Sequence, residues 1–424
     1  PGGGDLNVMA IDTDADGYGD SDEYDFAGDG VNPAKLPWTH QKISNPDTRF
    51  AASMAVLPDV NQDGVSDLAL GQPAGAAGSS GQPGGSVSIY SGSDWSPMYS
   101  IAGPLDVVDF GGFVFSGGDF NADGVNDLVV GTGHSTTTGQ YSIFIYSSDN
   151  GNPISRFNFT ATSPGYITMA AGGGDLSGDG IPDLLVGLDS LRQVQVVSGA
   201  DGSLIRQISV PSGIISLALG GDMDGDGVRE IIIGSPLAST NGAFLNGAVF
   251  VYSGAQGNLL HQVYGQNTGD ILGMSVAGIG DLNNDGKPDF LAGSPAFFSI
   301  SRPGFVYALS GANGSVIHQL DGFTLYDWFG SSVAQVNLND DNVPDILIGA
   351  LGGDRFDNKQ NFSPSYGDVC IYRGSNGSLA YRFHSFGTGL ILDARGAGDL
   401  NSDNIEDIVY SYSAGDAQRL TSRP

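Results

Sequence analysis

The sequence predicts an all-β protein, a seven-bladed β-propeller of four-stranded antiparallel blades whose last blade is closed by an N-terminal strand. Three observations predict it. A nine-residue acidic pattern recurs seven times, each copy lies between two short apolar runs, and turn signals divide the rest of each period into two more strands. Glycine supplies 67 of 424 residues, far above its usual share of about 7%, with no Gly-x-y period. Helix-like stretches rich in Glu, Lys and Ala are nearly missing. With 40% apolar residues the chain can bury a core despite its acidity. Length alone suggests about three domains, but the repeat replaces that division with two parts: an Asp-rich segment over 1–35 and a propeller over 36–424.

Each repeat opens on an apolar, glycine-containing strand, such as Gly273-Met-Ser-Val-Ala-Gly-Ile-Gly280. The acidic loop follows. It reads Asp59-Val-Asn-Gln-Asp-Gly-Val-Ser-Asp67 in the first copy, and the others run Asp119–Asp127, Asp175–Asp183, Asp222–Glu230, Asp281–Asp289, Asn337–Asp345 and Asp399–Asp407. Successive starts differ by 60, 56, 47, 59, 56 and 62 residues, room for four short strands and their turns. A second strand ending in glycine comes next (Ile231-Ile-Ile-Gly-Ser-Pro236), then a third of alternating character (Gly85–Tyr90, Gly247–Tyr252, Gly367–Tyr372). An Asn-Gly, Asp-Gly or Gly-Asn turn leads into the fourth (Ser203–Gln207, Leu259–Gln262, Ser315–Gln319), and such turns are strong hairpin signals. Four antiparallel strands repeated radially make a propeller. After Asp407 only a second strand (Ile408–Tyr412) and a third (Asp416–Ser422) remain. The missing fourth is expected at Leu36–Ile43, with His40-Gln41 in the register of His261-Gln262 and His318-Gln319.

Sixteen Lys and Arg against 47 acids give a net charge of −31. Of those acids 44 are Asp and three are Glu (Glu23, Glu230, Glu406). A merely solubilising surface would use both types, so short carboxylates are wanted in loops, and cations are the natural partners. Polyphosphate and anionic lipid are repelled by such a charge, which argues against nucleic-acid binding. Membrane insertion is not expected either, because no apolar run approaches the roughly 18 residues a spanning helix needs. The single cysteine, Cys370, excludes an intrachain disulfide and aligns with Phe250 and Phe144 on third strands, a packing position. The chain opens at Pro1 without a methionine, so the expectation is that it starts after processing or trimming.

Several short motifs now bear on family. Phe110-Gly111 and Phe329-Gly330 precede first strands, with Leu272-Gly273 as a variant, and Gly71-Gln-Pro73, Gly234-Ser-Pro236 and Gly293-Ser-Pro295 end second strands. Together with the Asp-rich loops these resemble FG-GAP repeats, which build the propeller of integrin alpha subunits and occur in many secreted bacterial proteins. The resemblance covers about residues 36–422. It implies a propeller fold and an extracellular, secreted or cell-surface setting; it specifies function far less.

Ca²⁺ takes six to eight hard oxygens, and a tight loop can offer them from alternate positions. In the first copy these are Asp59, Asn61, Asp63, the carbonyl of Val65, and Asp67. The same positions elsewhere are Asp119, Asn121, Asp123, Val125 and Asp127; Asp175, Ser177, Asp179, Ile181 and Asp183; Asp222, Asp224, Asp226, Val228 and Glu230. They continue as Asp281, Asn283, Asp285, Lys287 and Asp289; Asn337, Asn339, Asp341, Val343 and Asp345; Asp399, Asn401, Asp403, Ile405 and Asp407. Glycine at position six permits positive φ, and Asn342 and Asn404 replace it with the residue that tolerates that region next best. An EF-hand is excluded because position twelve is apolar (Leu70, Val130, Val186) and the flanks are strands. Plain turns need one or two such residues, not acids at three fixed positions. Asn337 leaves the sixth copy with two carboxylates, so the weakest site is expected there and Asn337→Asp is expected to tighten it.

The N-terminal run Asp12-Thr-Asp-Ala-Asp-Gly-Tyr-Gly-Asp-Ser-Asp-Glu23 offers Asp12, Asp14, Asp16, Asp20 and Glu23 around Gly17. Its Gly-broken continuation resembles a thrombospondin type 3-like repeat, which implies a calcium-stiffened stalk; the alternative is a solvated acidic linker. About seven propeller ions and one N-terminal ion are expected in all. Eight divalent ions carry sixteen positive charges and would take −31 to −15.

No catalytic residue is assigned. Of five histidines, His40, His261, His318 and His384 fall on fourth strands, and a repeated position serves packing more often than catalysis. His134 stands apart in the loop Gly131-Thr-Gly-His-Ser135, weak evidence for general-base work. Variable loop length marks the face opposite the acidic loops as the ligand face. Its longest loop, Leu351–Tyr366, gathers Arg355, Phe356, Lys359, Phe362 and Tyr366, side chains suited to protein or glycan contact; a long solvated loop is the alternative. Asn158, Asn313, Asn361 and Asn376 lie in Asn-x-Ser/Thr sequons. The favoured expectation is a non-catalytic extracellular calcium-binding propeller for adhesion, recognition or surface assembly, with self-association or filament formation through Pro1–Ile11 as a further expectation. The alternative is a carbohydrate-active enzyme resembling the FG-GAP polysaccharide lyases.

Overall fold

The computed structural model describes residues 39–44, 49–73, 84–132, 140–160, 167–240, 242–298, 302–325, 327–339, 341–352, 367–384, 391–412 and 416–421. The fold is an all-β propeller of four-stranded antiparallel blades. Six blades are runs of four consecutive strands. Blade one has Ser53–Leu57, Asp67–Gln72, Ser86–Tyr90 and Pro97–Ala102. Blade two has Phe113–Ser116, Leu128–Gly131, Gln140–Tyr146 and Pro153–Thr160, and blade three Ile167–Gly174, Asp183–Leu188, Gln193–Val197 and Leu204–Ser209. Blade four has Ser216–Leu219, Ile231–Ser235, Ala248–Tyr252 and Leu259–Tyr264, and blade five Ser275–Ile279, Asp289–Ser294, Phe305–Leu309 and Val316–Asp321. Blade six has Phe329–Val336, Asp345–Ala350, Asp368–Tyr372 and Leu379–His384. A further four-stranded sheet is composite: Ile391–Gly398, Asp407–Tyr412 and Asp416–Thr421 are joined by Thr39–Ser44 from the other end of the sequence.

Burial follows strand position. Second strands lie inside the blade with a neighbouring blade over each face, so Asp183–Leu188, Asp289–Ser294 and Asp345–Ala350 are buried along their whole length. This is why they read as continuous apolar runs rather than alternating ones. Fourth strands form the rim and mix exposed with half-buried residues, as Leu204–Ser209 does. The apolar clusters sit between sheets, not within them: Leu185 and Val196 of blade three pack with Ile231 and Phe250 of blade four. The composite sheet takes part on both sides. Its Ile408 and Tyr410 pack with Leu347 and Ile371 of blade six, and its Val409 and Ala417 with Leu68 and Leu70 of blade one. Inner strands of all the sheets line one central cavity of about 620 Å³.

The rim carries a repeated clamp. His261 Nε2 lies 2.6 Å from the Gly311 carbonyl of blade five, and His318 Nε2 lies 2.8 Å from the Gly374 carbonyl of blade six. Tyr99 of blade one reaches the Ser148 carbonyl, and Arg206 of blade three the carbonyls of Gly254 and Ala255, in the same way. The described histidines of the repeated register therefore hold neighbouring blades together. The expected His40 register is different from the observed one. In blades one to six a one-residue bulge separates the third and fourth strands, for instance between Val251 and Tyr252, which places His261 opposite Val251 and thus in the column of Ile232. The pairing of Thr39–Ser44 has no such shift: His40 faces Leu420, and Gln41, through Arg419, falls in the equivalent column of Val409. Cys370 pairs with Ile348 as Phe250 pairs with Ile233, and it is buried, in keeping with a packed thiol.

Candidate metal loops

Every acidic loop links an inner strand to its buried second strand, so all of them lie on one face of the ring. The loop is shaped from within by its carboxylates. In blade one Asp63 N–H donates to Asp59 Oδ1 at 3.0 Å, Gly64 N–H to Asp59 Oδ2 at 2.7 Å, and Val65 N–H to Asp63 Oδ1 at 3.0 Å. The same pattern recurs in blade two at Asp119 and Asp123 and in blade five at Asp281 and Asp285. Position six is left-handed throughout, from Gly64 at φ 91° to Asn342 at 62° and Asn404 at 65°. Position four is left-handed as well, at Gln62, Ala122, Asn284 and Ser402. Sequence reasoning missed that, because nothing about Gln or Ala announces it.

Position nine has a structural task that spacing alone conceals. Asp67 is fully buried; its Oδ2 accepts from Val60 N–H at 2.8 Å and its Oδ1 from Gly92 N–H, in the turn between third and fourth strands, at 3.0 Å. Asp289 with Leu282 and Gly311, and Asp345 with Leu338 and Gly374, repeat the tie. At Gly92 and Gly374 the turn leaves no room for a side chain: a Cβ on Gly92 would stand 1.8 Å from the Ser66 carbonyl oxygen, and one on Gly374 equally close to that of Pro344. Blade two has Ser148 at this turn, and the buried Asp127 Oδ1 is left without a partner. A carboxylate has about four lone-pair sites, so these ties leave acceptor capacity for a cation.

Electrostatics point the same way. Burial, with like charge from Asp123 and Asp119, pushes Asp127 up to about 6. Burial likewise pushes Glu230 up to about 7, reinforced by Asp224 and Asp222. Carboxyls held that far above their ordinary range are relieved by a nearby cation. In blade four Asp222, Asp224, Asp226 and Glu230 each offer an oxygen, and these atoms lie within 4.8 Å of one another. An all-oxygen, multiply charged set suits a hard divalent cation such as Ca²⁺. The other loops place Asn or Ser at position three, so fewer carboxylates converge there.

Successive loops touch. The position-eight side chain of one blade covers the glycine before the previous loop: a Cβ on Gly118 would lie 2.6 Å from Pro182, and one on Gly221 2.4 Å from Pro288. Gly280 with Pro344, and Gly398 of the composite sheet with Ser66 of blade one, repeat the contact. Outside the described residues lie Asp12, Asp14, Asp16, Asp20 and Glu23 of the N-terminal run, His134, and Arg355, Phe356, Lys359, Phe362 and Tyr366 of the long loop.

Comparison with known proteins follows the same segments. The FG-GAP repeat family matches residues 50–90 and 272–309, and the FG-GAP-like repeat family residues 119–186. The chain is similar to integrin alpha subunits. Integrin alpha-V of Gallus gallus is 31% identical over 147 residues, which is 34% of this chain and 14% of that protein. Integrin alpha-IIb of Mus musculus is 29% identical over 186 residues, 39% of this chain and 17% of that protein. The matched stretch thus spans less than a fifth of these relatives' length. Among solved structures, one described as BBS1N in complex with ARL6DN, soaked with lead, superposes with a TM-score of 0.57 over 91% of this chain and 97% of that chain. At 12% identity it speaks for the fold alone. Among the described residues no helix is long and apolar enough to cross a membrane.

Proposed function

We propose that this protein is an extracellular, calcium-loaded, non-catalytic propeller that presents a recognition or adhesion surface, with the composite sheet acting as a seventh blade that latches the ring. The observation that carries the metal reading is the convergence of Asp222, Asp224, Asp226 and Glu230 on one point, in a loop whose plan recurs around the ring. Similarity to integrin alpha subunits supports a recognition role for a protein ligand. The ligand face is the one opposite the metal loops, where Phe244 and Phe298, 67% and 64% exposed, stand on the loops after the second strands of blades four and five. Isothermal titration of chelator-treated protein with Ca²⁺ tests the first part: uptake of several equivalents is expected, and none would end the calcium reading. A polysaccharide turnover assay tests the second, since turnover lost in His134→Ala would replace recognition with catalysis.

A further inference from the structure

We propose that the two loops whose carboxylate number at the liganding positions departs from the rest are corrected by a charged side chain from the following blade, Glu406 for blade six and Lys287 for blade four. The proposal rests on the calcium reading above. Over positions one, three, five and nine, five loops carry three carboxylates, blade four carries four, and blade six carries two. Positions seven and eight hold only three charged residues in all: Arg229, Lys287 and Glu406.

Glu406 sits at position eight of the composite sheet and meets the residue that lacks the acid. Its Oε2 accepts from Asn337 N–H at 2.6 Å, while its own N–H donates to the Asn337 carbonyl at 3.3 Å. The carboxylate is kept close by Gly396, where a Cβ would lie 2.2 Å from Glu406 Oε1. Asp345, the ninth residue of the blade-six loop, is near enough to add like charge to it.

Lys287 is the sole charged residue at position seven. Its backbone serves its own loop, donating to Asp285 Oδ1 at 3.0 Å, but its side chain leaves. Nζ stands 3.0 Å from where a Cβ on Gly225 would be, between Asp224 and Asp226 of blade four. Pro288 beside it seats on Gly221, so two consecutive residues lie against the backbone of the four-carboxylate loop. Arg229 is engaged elsewhere, its Nε donating to the Gly220 carbonyl of its own blade at 2.8 Å. Three carboxylates less a divalent ion leave one negative charge. Four carboxylates offset by Lys287 and the ion leave one, and two joined by Glu406 leave one, so the four liganding positions of every loop close at the same charge; Asp340, at position four of the blade-six loop, stands outside that count.

The test uses the full chain, Ca²⁺ titration at low ionic strength, and melting in excess chelator. Glu406→Gln should weaken one calcium equivalent about tenfold, as loss of a neighbouring unit charge would, and adding Asn337→Asp should restore it. Against the expectation from the sequence, Asn337→Asp alone should not tighten binding, because Glu406 already supplies the charge. Lys287→Met should tighten one equivalent by roughly 3- to 10-fold. That gain should fade in about 1 M salt, where the screening length is about 3 Å, and Asp224→Asn should cancel it. In chelator, Lys287→Met should lower the melting temperature and Asp224→Asn should recover it. Wild-type titration in Glu406→Gln, tightening by Asn337→Asp alone, or no response to Lys287→Met would each overturn the proposal. Should the wild-type chain take up no calcium, the calcium reading falls and chelator melting alone decides the charge compensation.

Discussion

At the scale of single residues, two glycines of blade one, Gly64 in the acidic loop and Gly92 in the turn between third and fourth strands, make opposite demands. A Cβ on Gly92 meets the Ser66 carbonyl at 1.8 Å, whereas one on Gly64 meets nothing within 4 Å and suffers only from φ 91°. Gly92→Ala should therefore cost about 3 kcal/mol or more by forcing backbone apart, and Gly64→Ala about 1 kcal/mol from handedness alone. Chemical denaturation of the calcium-free variants would rank them. Glu230 gives a pH signature. Because burial holds it up at about 7, above the ordinary 4.5, the metal-free fold loses stability as pH rises through 7, and calcium must displace a proton below that. Calcium affinity of the blade-four site should drop about tenfold between pH 8 and pH 6, and Glu230→Gln should remove that dependence. The left-handed backbone at position six was legible in the sequence from its Gly or Asn, whereas the loop-shaping hydrogen bonds of positions one and five were not. Asp67 as a tie to Gly92 was not, because its partner is 25 residues away.

At the scale of the strand, periodicity located the elements well: third strands expected from Gly247 and Gly367 to Tyr252 and Tyr372 run Ala248–Tyr252 and Asp368–Tyr372. What periodicity could not show is the bulge in the pairing of the fourth strand of blades one to six. A bulge depends on how one strand sits against another, and it decides which face His261 presents. It separates the observed place of His40 from the one alignment suggests. The clamp it creates is testable. His318→Ala leaves the Gly374 carbonyl without its partner and should cost about 1 kcal/mol, read as a lower denaturant midpoint at constant slope, while His318→Gln should recover part of it. The bland reading of the rim histidines, packing rather than chemistry, fits that contact.

At the scale of the whole molecule, stability is set by sheet-to-sheet contacts that no blade makes alone. Removing residues 1–44 takes Thr39–Ser44 from the composite sheet and leaves Asp416–Thr421 as an unpaired edge. Unpaired edges pair with other chains, so the truncated protein should melt lower and sediment as larger species than the intact chain; an unchanged melting temperature and size would count against the latch. Excess chelator should lower the melting temperature of the intact chain by several degrees, since bound ions stabilise by mass action. Fold class was legible here because seven copies of one pattern outvote any single ambiguous strand. The cross-blade contact of Glu406 with Asn337 was not, as it relates residues 69 positions apart.

The position-eight contacts have one more consequence. Pro182, Pro288, Pro344 and Ser66 each rest on the loop of the blade before, so filling one loop fixes part of the floor of its neighbour. Ordering already done for one ion need not be repeated for the next. Uptake should then be steeper than a set of independent sites allows, with a Hill coefficient above one, and the ring would pass from loose to rigid over a narrow span of calcium concentration.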